Sequence, residues 1–203
     1  VKICQIVKLT RGGEPVPMSK RSGQFVTLNE VVNEVGKDVV RFIMLTRRND
    51  APLEFDFVAV TDQSRDNPVF YVQYAHARAC SILRKVAALS GGPIDAEILS
   101  RADLWRLTGG HELALIKLLI GWPELIENAA EAQEPHRLAF FVHELASAFH
   151  QTWNRGNEDP GLRFIIEEDL ELTLARAALV KGVALVIASA LEVMGIEPVE
   201  VMH

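Results

Sequence analysis

Only two cysteines, Cys4 and Cys80, occur in the 203 residues, and they stand far apart. That spacing supplies neither a disulfide framework nor the clustered Cys/His set of a zinc site. No apolar run reaches the roughly 18 to 20 uncharged residues that span a bilayer. Leu179 to Met194 comes nearest, and Lys181 and Glu192 interrupt it. A secretory signal is missing too, since Lys2 and Lys8 bracket only Ile3 to Val7, too few for an apolar signal core. The chain is therefore expected in the cytosol, away from membranes. Nor do paired carboxylates, a Ser/His/Asp order or a Cys/His arrangement suggest hydrolysis or nucleophilic catalysis. His136, His143 and His150 recur every seven residues, about 10.5 Å apart at a helical rise of about 1.5 Å per residue. Neighbours at that distance cannot share one metal, and all three are expected at the surface.

The net charge of −6 at first argues against a nucleic-acid partner, but its distribution does not. Residues 1–85 hold 13 Lys/Arg against 9 Asp/Glu, and the remainder holds 8 against 18. Oligoanion binding follows local rather than total charge, so the basic first part suits phosphates.

Strand-like sequence from Ile3 to Leu9 leads into Arg11-Gly12-Gly13-Glu14-Pro15, where Gly-Gly permits the positive φ of a tight hairpin. A domain rarely opens in this way, so the chain is expected to be part of a longer protein. Helices are predicted at about Leu28 to Val35 and Lys37 to Thr46, separated by Gly36, with a period-2 strand at Leu53 to Phe57. From Asn67 the sequence becomes wholly helical. Asn67-Pro68 supplies an N-cap and an N1 proline for a helix running to about Ala88. Further helices are predicted near Glu97 to Leu107, Gly110 to Gly121, Pro123 to Glu131, Pro135 to Trp153 and Glu167 to Met194. In the helix after Pro135, Leu138, Phe141, Val142, Leu145, Phe149 and Trp153 form one apolar stripe. The last helix is apolar nearly all round and is expected at the centre of a bundle. No internal repeat or low-complexity tract is present.

Two groups of residues can carry chemistry. Met18-Ser19-Lys20 sits in a loop between Gly12-Gly13 and Gly23, where a Lys ammonium and free N–H groups can cradle a triphosphate. On these residues alone the signal is weak, and an ordinary solvated basic loop is the reading it more often has. In the helix after Asn67, Tyr71, Tyr74 and Arg78 lie three and then four residues apart and share a face. Val69, Val72, His76, Ala79, Leu83 and Val86 form the opposite, apolar face, with His76 expected as a hydrogen-bonded core histidine. Two flat rings and a guanidinium are what single-stranded loops of RNA are read with. The alternative is that both tyrosines pack on a neighbouring helix with their hydroxyls at its rim.

The segment Asn67 to Arg78, NPVFYVQYAHAR, closely resembles the start of the anticodon-binding domain of arginyl-tRNA synthetases. Pro17 to Leu28 resembles that family's KMSKS-type loop and its continuation. Asp38 to Phe42 and Leu53 to Phe57 are similar to its connecting region. Pro135 to Leu138 through Trp153-Asn154, and Ala177 to Lys181, resemble the domain named for its Asp-Ala-Leu-Arg sequence. The resemblance covers essentially the whole chain in order. It implies a mainly α fold, a helical-bundle anticodon-binding domain (67–203) preceded by a small α/β segment (1–66). That segment would be the end of a catalytic domain, with the KMSKS-type loop and helices that contact the tRNA stem. The activity implied for the intact protein is ATP-dependent attachment of arginine to tRNA-Arg, with Mg2+ accompanying ATP.

Within that resemblance Lys20, with Ser19 and Met18, would contact the ATP phosphates. Pro17 and Arg21 depart from the five-residue pattern, in place of its first lysine and final serine. Tyr71, Tyr74, Arg78, Phe149, Trp153 and Met202 would meet the anticodon. Phe149 stands where related proteins can carry tyrosine, so stacking could survive there without a hydroxyl contact. The partner is tRNA-Arg, with arginine and ATP reached only through the remainder of the catalytic domain, and a monomer is expected. A helical interaction module without RNA binding is the alternative from a different class.

The HIGH-type sequence and the nucleotide-binding fold are not among these residues. The 203-residue chain alone is thus expected to show no arginine-dependent ATP–pyrophosphate exchange, and isotope exchange above a no-enzyme blank would refute this.

Overall fold

The computed structural model describes residues 4–18, 25–62 and 67–202. A small sheet comes first. β1 (Val7–Arg11) turns through Gly12 and Gly13, at φ 61° and 84°, into the antiparallel β2 (Glu14–Pro15). Both turn positions need positive φ, which glycine alone adopts without a side-chain penalty. β3 (Leu53–Asp56) runs parallel to β1, Val7 facing Leu53 and Thr10 facing Asp56, giving the order β2-β1-β3. The strand expected from Ile3 begins only at Val7 among the described residues.

α1 (Leu28–Val35) opens on a capping box between Thr27 and Glu30, and Gly36 separates it from α2 (Lys37–Leu45), as the sequence implies. The strand predicted to Phe57 instead stops at Asp56, because the Asp56 side chain caps a short helix, α3 (Phe57–Thr61). Its Oδ1 accepts from the amides of Val58 (2.9 Å), Ala59 (3.1 Å) and Gly12 (3.1 Å). Its Oδ2 accepts from the amide of Gly13 (2.7 Å) and the hydroxyl of Thr10 (3.0 Å). One carboxylate thus ties the hairpin turn, the sheet and a helix start together.

α4 (Pro68–Leu89) starts where Asn67 Oδ1 accepts from the amide of Val69, and Asn67 Nδ2 donates to the carbonyls of Val60 and Asp62. The helix predicted from Glu97 to Leu107 is broken into α5 (Ala96–Ser100) and a 3-10 turn at Leu104–Arg106. Asp95 caps the first piece and Asp103 the second, and each cap restarts the chain. By contrast α6 (Gly110–Ala132) runs unbroken through Pro123, where two helices were expected. An interior proline costs about 3 kcal/mol. Leu115, Trp122 and Ala129, seven residues apart, are all buried on one stripe, and Trp122 stacks on Phe141 with centroids 5.4 Å apart. Burial of that stripe outweighs the proline.

α7 (His136–Glu158) and α8 (Leu170–Val193) complete the bundle. α8 starts three residues later than its acidic sequence suggests, with Asp169 as N-cap accepting from the amide of Leu172. By length and a mean hydropathy of 1.9, α8 resembles a membrane span. In the fold it packs on α4, α6 and α7, as its apolar circumference requires. After it the chain turns at Gly195, φ 70°, where a Cβ would lie 2.8 Å from the Arg41 guanidinium. Arg41 Nη1 donates to the carbonyl of Met194 (3.3 Å) and Asp38 accepts from the amide of Glu197 (3.3 Å), so α2 holds the start of the C-terminal tail. One core extends from Val31 and Phe55 to Leu191 and Ile196.

The amide of Gly13, chief among its bonds, holds the Asp56 carboxyl far below the ordinary carboxylate range. A depressed folded value means the stabilisation is present above the unfolded pKa of about 3.9 and is lost as pH falls towards the folded value. Asp56→Asn is expected to destabilise the chain at neutral pH, with a difference from wild type that shrinks as pH drops below about 4. Urea midpoints measured across pH check this, and a pH-independent difference would contradict it.

Candidate nucleic-acid interface

Tyr71, Tyr74 and Arg78 do share a face of α4, and that face looks out beside α7. Tyr74 is 44% exposed, while Tyr71 and Arg78 are half-buried. The Arg78 guanidinium lies between two rings, 4.4 Å from the Tyr74 centroid and 4.9 Å from that of Trp153. Such placement over ring faces is attractive because the cation meets the negative side of the ring quadrupole. Nη2 donates to the Tyr74 hydroxyl (2.8 Å) and Nη1 to His150 Nδ1 (2.8 Å). An arginine can only donate and a carbonyl can only accept. His150 Nε2 must then carry the ring proton, and it donates to the Tyr71 carbonyl at 3.2 Å. His150 also packs against both tyrosines, with centroids 4.6 Å from Tyr71 and 5.6 Å from Tyr74.

The tail after Gly195 forms the other wall. It runs along α4, with His76 Nδ1 donating to the carbonyl of Val199 (2.9 Å) and Arg84 Nη2 to that of Glu200 (3.4 Å). His76 is the buried, hydrogen-bonded histidine that its apolar neighbours predict. The tail delivers Met202 to a groove shared with Tyr74, Arg78, Arg84, Lys85 and Trp153. Past Lys85 and Trp153 this groove continues into a hollow lined by Asn157, Arg163 and Phe164. The result is a strip of flat rings edged by cations, able to stack bases and to meet phosphates at once.

The predicted residues divide clearly. Tyr71, Tyr74, Arg78, Trp153 and Met202 come together in this strip. Phe149 does not: it is fully buried, its ring 5.4 Å from that of Phe164, so the stacking on a base allowed for it has no surface to occur on. One residue along α7, His150 was expected at the surface and is instead buried in the cluster. The seven-residue spacing is real, but α4 packs across that end of α7 and covers its third histidine, whereas His143 stays exposed. Met18 is exposed, and Ser19 and Lys20 lie outside the described residues. His150, Asn154, Arg84 and Lys85 were missed. Lys85 stands seven residues after Arg78, about two helical turns on and so on the same side, a signal that Arg84, about 100° round the helix from Lys85, does not share.

Among the described residues no three His, Cys, Asp or Glu side chains converge as a metal set.

A helical bundle with one aromatic, cation-edged groove defines a module suited to single-stranded nucleic acid. The chain belongs to the DALR anticodon binding domain family, whose profile matches residues 72–202. An arginine–tRNA ligase of Rhodospirillum rubrum is 59% identical over all of this chain, which spans 35% of that relative's length. An arginine–tRNA ligase of Azorhizobium caulinodans is 60% identical, again over the whole chain and 35% of the relative. The fold is similar to that of the arginyl-tRNA synthetase of Thermus thermophilus, with a TM-score of 0.68 and 26% identity over 96% of this chain and 34% of that one.

Because Phe149 fills the core, Phe149→Ala should lower stability by about 3–5 kcal/mol. A urea midpoint equal to wild type would return this ring to the surface.

Proposed function

We propose that this chain is the anticodon-reading module of an arginine–tRNA ligase, acting in the cytosol as part of a monomer. The observation that carries the reading is the groove between α4, α7 and the tail. There Tyr74 and Trp153 flank a fixed guanidinium, and Arg84 and Lys85 extend the positive edge. Anticodon bases would stack on the exposed rings, and the phosphates of the loop would meet the arginines and lysine. Identity to arginine–tRNA ligases along the whole chain supports tRNA-Arg as the partner.

In the intact protein, arginine is activated with ATP and passed to the tRNA. Residues 4–62 would stand between that chemistry and the anticodon groove. The Asp56-bound hairpin leads directly to Met18, so Met18, Ser19 and Lys20 are the residues proposed to approach the ATP phosphates. Lys20 would balance charge on the leaving pyrophosphate. Mg2+ would arrive as part of the ATP substrate.

The test is a salt titration of binding between the chain and tRNA-Arg, beside the same tRNA with its anticodon altered. Preferential binding that weakens as salt rises is expected, because phosphate contacts release counterions. Equal binding of both tRNAs would count against the groove as an anticodon reader. Tyr74→Ala should cost about 1–3 kcal/mol of tRNA binding, with helix content and melting temperature unchanged. A dissociation constant identical to wild type would remove Tyr74 from the site.

A further inference from the structure

Arg78 has two acceptors that do different things. The rings of Tyr74 and Trp153, 4.4 Å and 4.9 Å from its guanidinium carbon, attract the cation without fixing where each N–H points. In-plane orientation comes from hydrogen bonds. Tyr74 OH takes Nη2, and His150 Nδ1 takes Nη1, each at 2.8 Å. Tyr74 is itself exposed. His150 is 5% exposed, and its other nitrogen is anchored to the α4 backbone through the Tyr71 carbonyl. The fixed point in this arrangement is therefore the imidazole, in a single tautomer.

We infer that His150 is a positioning residue for anticodon recognition: its Nδ1 sets the in-plane orientation of Arg78 and so decides where the remaining N–H donors of the guanidinium point. Five donors are available on an arginine, and these two bonds use two. The inference rests on the anticodon-reading function proposed above. His150 touches no base in this scheme and acts through Arg78. It also joins the two helices of the site, since the same ring bonds α4 at two places from α7.

Two replacements separate the roles of the two nitrogens. An asparagine amide oxygen falls close to the place of Nδ1 and can accept from Arg78. A glutamine amide nitrogen falls close to Nε2 and can donate to the Tyr71 carbonyl. His150→Asn should keep tRNA-Arg affinity within about three-fold of wild type, while His150→Gln should lose about ten-fold or more, together with preference for the native anticodon, as expected for a lost bond to a charged group. In an Arg78→Ala background His150→Gln should have no further effect, since the residue it positions is gone.

Rotation about the Arg78 Cζ–Nη1 bond, measured by NMR on isotope-labelled arginine without tRNA, should be slow in wild type and His150→Asn and faster in His150→Gln, where only the Nη2 bond to Tyr74 remains. Equal tRNA affinity of the two variants, or an Nη1 as hindered in His150→Gln as in wild type, would overturn the inference. So would an undiminished effect of His150→Gln in the Arg78→Ala background. A wild-type chain that binds both tRNAs alike overturns the anticodon-reading function and with it any part His150 has in reading. The NMR result then still reports separately on whether His150 holds Arg78.

Discussion

A single buried ion pair ties the bundle to the loop that borders the groove. Arg176, in the second turn of the most apolar helix, α8, and Glu112, in the first turn of α6, are 6% and 3% exposed. Arg176 Nε donates to Glu112 Oε1 at 2.8 Å, and Nη1 donates to the carbonyls of Gly161 and Arg163. Glu112 uses its other oxygen to accept from the amide of Gly109 and so caps its own helix. Each charge thus has several partners, the condition under which a buried pair can exist without a large net penalty. Removing either member would leave the other charged and unmatched, which typically costs about 3–5 kcal/mol. Because the guanidinium also holds the carbonyls of residues 161 and 163, the same pair fixes the turn between α7 and α8. Arg163 and Phe164 line the far end of the groove from that turn.

The site itself is assembled from three stretches that are distant in sequence. α4 contributes the tyrosines and cations, α7 contributes His150 and Trp153, and the tail contributes Met202. What keeps the third stretch in place is partly outside the bundle. Arg41 and Asp38 of α2 bond the chain on either side of Gly195, and the tail then continues along α4. The α/β segment and the groove are therefore mechanically joined through the turn at Gly195. A side chain there would be strained at φ 70° and would displace the Arg41 guanidinium.

Much of this was legible from residue patterns, and the misses share one cause. Helix starts at Asn67 and after Gly36, the glycine hairpin, the Tyr71/Tyr74/Arg78 face and the central position of α8 all follow from local chemistry. Boundaries went wrong where one side chain or one contact overrides the pattern. Asp56 ends a strand by capping a helix, Asp103 breaks a predicted helix, and buried Trp122 carries α6 through Pro123. The site errors are of the same kind. Phe149 and His150 are adjacent on α7, and which of them meets the groove depends on how α4 crosses it. Spacing within one helix carries no information about that crossing. Met202 could be placed only by resemblance, because nothing in its own sequence shows that the tail folds back along α4.

The order in which these helices occur has a consequence for synthesis. α4, α6 and α7 all precede α8, yet α8 fills the space between them. Until it has emerged from the ribosome, α4, α6 and α7 can pack only on one another, and the core that holds Val72, Leu115 and Val142, each wholly enclosed in the finished fold, is incomplete. A nascent chain in that interval exposes apolar surface of the kind that chaperones bind and that aggregates form from. α8, made after the three helices it joins, is thus the one on which their durability waits.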